Sequence, residues 1–130
     1  IDFFQNRFIQ AIGAGIYEIS VCHNNQSKVL YIGESVFVMV RCASHLYELK
    51  KDPAYFGFTE KSLADSEVKL IFTFLEEESN VVVRKQKEKE YINKLEPLSQ
   101  SGISDRQKSV EDRIAALTEF LESSSNLSTK

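Results

Sequence analysis

The sequence has no Trp, and its only cysteines are Cys22 and Cys42, set far from any C-x-x-C spacing. Two such thiols do not make a disulfide framework, so a reducing, cytoplasmic setting is expected. A zinc site would need His23 and His45 brought to the same thiols by folding, and buried free thiols are the plainer expectation. No apolar run approaches the roughly 18 residues that a membrane span requires, which excludes an integral helical membrane protein. No secretory signal opens the chain, and Ile1 in place of Met suggests an excised domain. An excess of positive charge is also lacking: 16 Lys and Arg face 19 Asp and Glu, a net charge of −3. By itself that balance argues against nucleic acid, whose binding domains are usually basic. What the sequence does have is 42% apolar residues, with nine Phe and five Tyr, in 130 residues. That suffices for one core and one domain, and is too much for a disordered chain.

Periodicity organises the chain. Phe3, Phe4, Phe8 and Ile9 among polar neighbours predict a short amphipathic helix over the first dozen residues, ended by Gly13 and Gly15. The period then becomes two, with Tyr17, Ile19 and Val21 alternating with Glu18, Ser20 and Cys22. A polar turn at His23–Ser27 and a second strand from Val29 to Gly33 complete a hairpin. A turn centred near Asn24 would set Tyr17 and Tyr31 roughly opposite each other, side by side on one face. Val36 to Lys51 reads as a helix with Ser35 as its cap and Arg41, His45 and Glu48 on a polar stripe. A loop holding Tyr55, Phe56, Gly57 and Phe58 precedes a third strand through Val68, Leu70, Phe72 and Phe74.

The next helix spans about 81 to 95 and stops before Pro97, with Glu76–Glu78 or Asn80 at its start. At 100° per residue, Glu88 shares a face with Val81, Ile92 and Leu95, whereas Glu90 lies roughly 200° away. Glu88 is therefore expected to point inward and Glu90 outward. A Ser/Gly/Gln joint at 99–104 leads to a last helix with Val110, Ile114, Leu117 and Leu121 on one stripe, a core face or a dimer seam. The tail from Ser123 to Lys130 is too polar to fold by itself. The expected architecture is α+β: a small three-stranded antiparallel sheet flanked by helices over residues 1–100, with an extra C-terminal helix and disordered tail over 101–130.

Two tripeptides add chemistry to this outline. Gly15-Ile16-Tyr17 and Tyr31-Ile32-Gly33 stand on the adjacent hairpin strands, with thirteen residues between the tyrosines. Arg41 follows the second tripeptide by about eight residues, His45 comes one helical turn later, and Glu88 precedes the apolar pair Tyr91-Ile92 and Pro97. In this order and spacing the chain resembles the GIY-YIG nuclease family over roughly residues 13 to 100. It departs from the family in three places. The spacer between the tyrosines is longer than usual, position 100 is Gln where Asn is expected, and Glu34 stands where a Lys or small polar residue is familiar.

The resemblance implies a metal-dependent DNA endonuclease. Phosphodiester hydrolysis needs an in-line nucleophile, neutralisation of charge on the phosphate oxygens and a stabilised leaving oxygen. Glu88 would hold one Mg²⁺ or Mn²⁺, a hard cation that keeps several waters. Arg41 would present its planar fork of donors to the phosphate. Tyr17, Tyr31 or His45 would activate or orient water, with Tyr17 as base or water-positioner and His45 in hydrogen-bond support. Gln100 and Lys85 would contact substrate, Lys85 as part of an otherwise solvated Arg84-Lys85-Lys87-Lys89 run. Glu34 would alter the local field, join the metal shell or discourage phosphate.

Plainer roles exist for the same residues. Paired tyrosines in a hairpin commonly pack, Arg41 and His45 could be a solvated stripe, and Glu76–Glu78 an ordinary solvated loop. Glu88 is the telling residue, because a carboxylate on an apolar face needs a partner or a metal. The alternative to an enzyme is a catalytically inactive module of the same fold that binds nucleic acid or a protein. Residues 1–98 carry 12 basic and 14 acidic side chains, so DNA binding by this domain alone should be weak and salt-sensitive. A partner subunit or a second copy, docked through the C-terminal helix, would compensate.

Overall fold

The computed structural model describes residues 1–100 and 107–128, with the backbone alone for 126–128. Most of the joint expected at 99–104 and the last two residues of the chain lie outside the described residues. The alternating segments form the hairpin, β2 (Gly15–His23) and β3 (Gln26–Ser35). Its turn is tighter than the five-residue one expected. Asn24 and Asn25 alone make it, with φ of 51° and 64°. Asn tolerates this left-handed backbone, and two such residues match the twist of paired strands. The register sets Tyr17 opposite Gly33 and Ile19 opposite Tyr31, with a bulge between Ile19 and Ser20. Tyr17 and Tyr31 are thus diagonal neighbours on one face, not directly opposed.

The sheet has four strands in the order β1-β4-β2-β3 and is mixed, not three-stranded and antiparallel. β4 (Val68–Glu77) runs antiparallel to β2, as its alternation suggested. The addition is β1 (Asp2–Phe3), parallel to β4 at the edge. It replaces the front of the helix expected over the first dozen residues, which shrinks to α1 (Phe8–Ala11). The free edge of β4 offers Asp2 and Phe3 a ladder, and the Phe3 ring packs 5.1 Å from that of Phe72.

Alternation along β2 and β3 divides the core in two. Tyr17, Ile19, Val21, Tyr31, Phe72 and Phe74 meet α2 (Val38–Lys51), the Phe56–Phe58 loop and Leu117 on one face. Ile16 and Ile32 meet Ile92 of α4 (Val81–Leu95) on the other. Covered on both sides and paired on both edges, β2 is almost wholly buried. α2 starts two residues later than expected. The Ser35 hydroxyl accepts the Phe37 N–H (3.0 Å) and so shapes the turn before the helix instead of capping it. A 3₁₀ turn, Pro53–Tyr55, and the short α3 (Glu60–Leu63) lead to β4. Asn80, not the preceding acids, caps α4 by accepting the N–H groups of Val82 and Val83 at 2.9 and 3.1 Å.

The last helix, α5, spans Val110–Ser128 and therefore includes most of the segment read as an unfolded tail. Buried Ser124 explains this, because its hydroxyl lies 2.6 Å from His23 Nδ1 and ties the helix to the hairpin end. Leu117, Phe120 and Leu121 pack on the chain's own core, while Val110 stays exposed. Between α4 and α5, residues 98–100 lace the outer edge of β3. Leu98 and Ser99 donate their N–H groups to Val29 and Leu30, each at 2.9 Å.

Candidate active site

The site forms where β2 begins and β3 ends. Gly33 has a steric reason to be glycine: a Cβ there would run into the Tyr17 hydroxyl and ring. The phenol lies over the bare backbone of its neighbour strand. Tyr31 stacks beside Tyr17 with ring centres 6.2 Å apart. From α2, the buried stripe is Val38, Cys42, His45 and Leu49. His45 is thus inside, not on a solvated stripe with Arg41 and Glu48, because it lies three residues from Cys42 and four from Leu49. Its Nε2 is 2.6 Å from the Tyr17 hydroxyl and its Nδ1 is 2.8 Å from the Tyr55 hydroxyl. The Tyr31 ring meets the imidazole edge-on at 4.8 Å.

Electrostatics follow from this burial. Desolvation, with help from the Arg41 charge, pushes the His45 pKa down to about 3, so the ring is neutral near pH 7. Burial likewise drives Tyr17 far above the usual phenol range, Tyr31 and Cys42 add to the rise, and Arg41 offsets part of it. Tyr17 therefore keeps its proton in this state. Arg41 itself is exposed and hydrogen-bonds Tyr31. Its partial burial works against its charge, but the phenols of Tyr17, Tyr31 and Tyr55 outweigh that. Glu88 is 4% exposed on the inner side of α4 and is among the groups that act on Tyr17, whereas Glu90 is exposed. Helical phase separated these two glutamates correctly. Tyr17, Tyr31, Arg41 and His45 are thus one neighbourhood, and Glu88, on the α4 side of the sheet, acts on Tyr17 only as the weakest of the charges around it.

The other candidates are elsewhere. Gln100 is buried and uses both ends of its amide on one residue. Its Oε1 accepts the Ile32 N–H (2.9 Å) and its Nε2 donates to the Ile32 carbonyl (2.7 Å). It is a fastener of β3, with its amide committed to that strand and not to the substrate contact expected of it. Lys85 is exposed and donates to Glu34 at 3.1 Å. Arg84, read as solvated, is 5% exposed. It donates to the Glu34 carboxylate and to the carbonyls of Glu78 and Ser79. Burial works against the Glu34 charge, yet the bonds from Arg84 and Lys85 prevail and hold its pKa below the ordinary value. Glu34 is thereby engaged by two cations. Glu76 and Glu78 are also engaged, by Lys87 at 2.6 and 3.0 Å, and are not an idle loop.

The buried roles of Tyr55, in the site, and of Arg84, beside Glu34, escaped sequence reasoning. Arg84 could have been found, since it precedes Glu88 by one turn and shares its inward phase. Tyr55 carried only the weaker signal of an aromatic loop. Among the described residues, no three His, Cys, Asp or Glu side chains converge as a metal cluster. The donor set near Tyr17 is a single carboxylate, Glu88, with phenol oxygens. That is hard-oxygen chemistry, which suits Mg²⁺ or Mn²⁺ with retained waters and does not suit a soft metal. Among the described residues, no helix is long and apolar enough to cross a membrane. Compared with protein-family models, with curated proteins and with solved structures, the chain matches none.

Proposed function

We propose that this chain is a phosphodiester-cleaving domain of the GIY-YIG type, a DNA endonuclease that works with one divalent cation held by Glu88. The observation that carries the reading is the 2.6 Å Tyr17–His45 hydrogen bond, set beside Tyr31 and Arg41 where Gly33 leaves room for the phenol. A bound Mg²⁺ or Mn²⁺ would supply Lewis acidity toward the phosphate and the leaving oxygen. Arg41 reaches solvent and would place its guanidinium on the phosphate oxygens, where negative charge grows. The protonated Tyr17 hydroxyl orients the attacking water, and His45 holds that hydroxyl in place. A neutral His45 is the group able to accept a proton from this pair. DNA is the expected partner, bound weakly because few cations flank the site.

Plasmid nicking with Mg²⁺ or Mn²⁺, against chelator, tests the assignment. Wild-type nicking should depend on metal and fall on the order of a hundredfold in Glu88→Ala and in Arg41→Ala. Metal-independent nicking, or nicking unchanged in Glu88→Ala, would refute the metal site. One observation favours a second reading, a non-catalytic nucleic-acid or protein-binding module: Tyr17 and His45 are both fully buried. A silent wild type that still retards DNA or a partner in gel shift would select it.

A further inference from the structure

The hydrogen bonds around His45 determine which of its nitrogens carries the proton. A neutral imidazole has one N–H and one lone pair, so of Tyr17 and Tyr55 one must donate to the ring and the other must accept from it. Tyr17 decides the direction. Its hydroxyl is fully buried, and among the described residues its only hydrogen-bond partner is His45 Nε2. A buried phenol proton without an acceptor is costly, so Tyr17 donates to Nε2. The imidazole proton then sits on Nδ1 and is donated to the Tyr55 oxygen. Tyr55 is only partly buried and can give its own proton to water.

Tyr55 is in turn held from outside the family-like region. Arg113 Nη1 and Gln107 Nε2 donate to the Tyr55 carbonyl at 2.7 and 3.1 Å. Gly57, with φ of +93°, lets the loop press onto α5, since a Cβ there would strike the Arg113 backbone. A continuous path therefore runs from α5 through the Tyr55 carbonyl and ring to His45 and on to Tyr17.

We infer that Tyr55 is a positioning residue: by accepting the Nδ1 proton it stabilises the tautomer that Tyr17 selects, and Arg113 and Gln107 of the C-terminal segment hold it in place to do so. The lone pair of Nε2 is thereby aimed at the Tyr17 proton. The tautomer rests on the hydrogen bonds alone, while its service to hydrolysis rests on the function proposed above. The C-terminal segment, in this view, is part of the site.

Long-range proton–nitrogen NMR on the full chain, labelled at histidine, reads the tautomer directly. His45 should show a protonated Nδ1 and an unprotonated Nε2 near pH 7. Tyr55→Phe should move it toward the Nε2–H form while the signals of His23 stay in place. Arg113→Met should shift it in the same direction by less, and it serves as the deciding variant if Tyr55→Phe does not fold. An Nε2–H wild type, or a pattern unchanged in the folded variants, overturns the inference. In the nicking assay, Tyr55→Phe should lower kcat by about tenfold with KM little changed. A chain that never nicks DNA but shows the NMR changes sinks the nuclease reading and leaves the tautomer assignment standing.

Discussion

Two polar networks lie on opposite faces of the sheet and solve the burial problem differently. On the α2 face, Tyr17, His45 and Tyr55 are linked by hydrogen bonds of 2.6 and 2.8 Å, and burial keeps the imidazole uncharged. On the α4 face, Arg84 and Lys85 grip Glu34, and Lys87 grips Glu76 and Glu78, mostly at the border with solvent. A buried network is kept affordable by neutrality and complete pairing, and a peripheral one tolerates charge because water shares the load. The first should therefore respond to shape and protonation, and the second to salt.

The largest break comes from shape. Gly33→Ala forces a methyl group into the Tyr17 phenol and should cost about 3 kcal/mol, read as a lowered denaturation midpoint, with loss of any nicking activity. His45→Leu should cost about 2 kcal/mol, since it leaves two phenols to find new partners. It should also change the response to pH. An unfolded histidine binds a proton near 6.5, whereas folded His45 resists until about 3. In that window the unfolded chain holds the extra proton, so wild-type stability falls as pH falls, by at most about 1.4 kcal/mol per pH unit for this one group. The His45→Leu protein should lose that part of the slope, and an identical slope in both proteins would contradict the burial argument.

The ionic face should break more gently. Arg84→Met leaves Glu34 with Lys85 alone and frees the Glu78 and Ser79 carbonyls, at a cost of about 1 to 2 kcal/mol. The depressed Glu34 pKa means that the stabilisation by its partners is complete above pH 4.5 and is lost as pH falls below it. The variant should therefore differ most from wild type near neutrality. Molar salt should weaken the pairing of exposed Lys85 with Glu34, while leaving the Arg84→Met and His45→Leu differences almost intact. The smallest effect belongs to Lys87→Met, whose melting temperature should stay close to wild type, because ion pairs still open to water contribute little.

The same contrast explains what could be read without a structure. Period-two segments announced β2, β3 and β4, and helical phase put Glu88 in and Glu90 out, because those signals are local. β1 has only two residues, too few for a period, and is made by a parallel partner nearly seventy residues away. His45 was misread because charge drew Arg41, His45 and Glu48 into one stripe. The apolar residues Val38, Cys42 and Leu49, at equally good helical spacing, had already claimed its side. Gln100 and Tyr55 act through backbone contacts to distant segments, and residue type alone does not reveal such partners. The GIY and YIG tripeptides lie together at one end of the sheet, and Gly33 is the member whose requirement the geometry makes explicit.

The lacing of β3 by residues 98–100 bears on a different matter, how the protein avoids sticking to itself. An uncovered strand edge is a template for another chain, and β3 would otherwise present one from Val29 to Ile32. Leu98, Ser99 and the Gln100 amide occupy that stretch with backbone and side-chain hydrogen bonds. Cutting the chain before residue 98 would strip the cover from a β-rich edge. Such a fragment should gather into oligomers or aggregates even with its core residues all present.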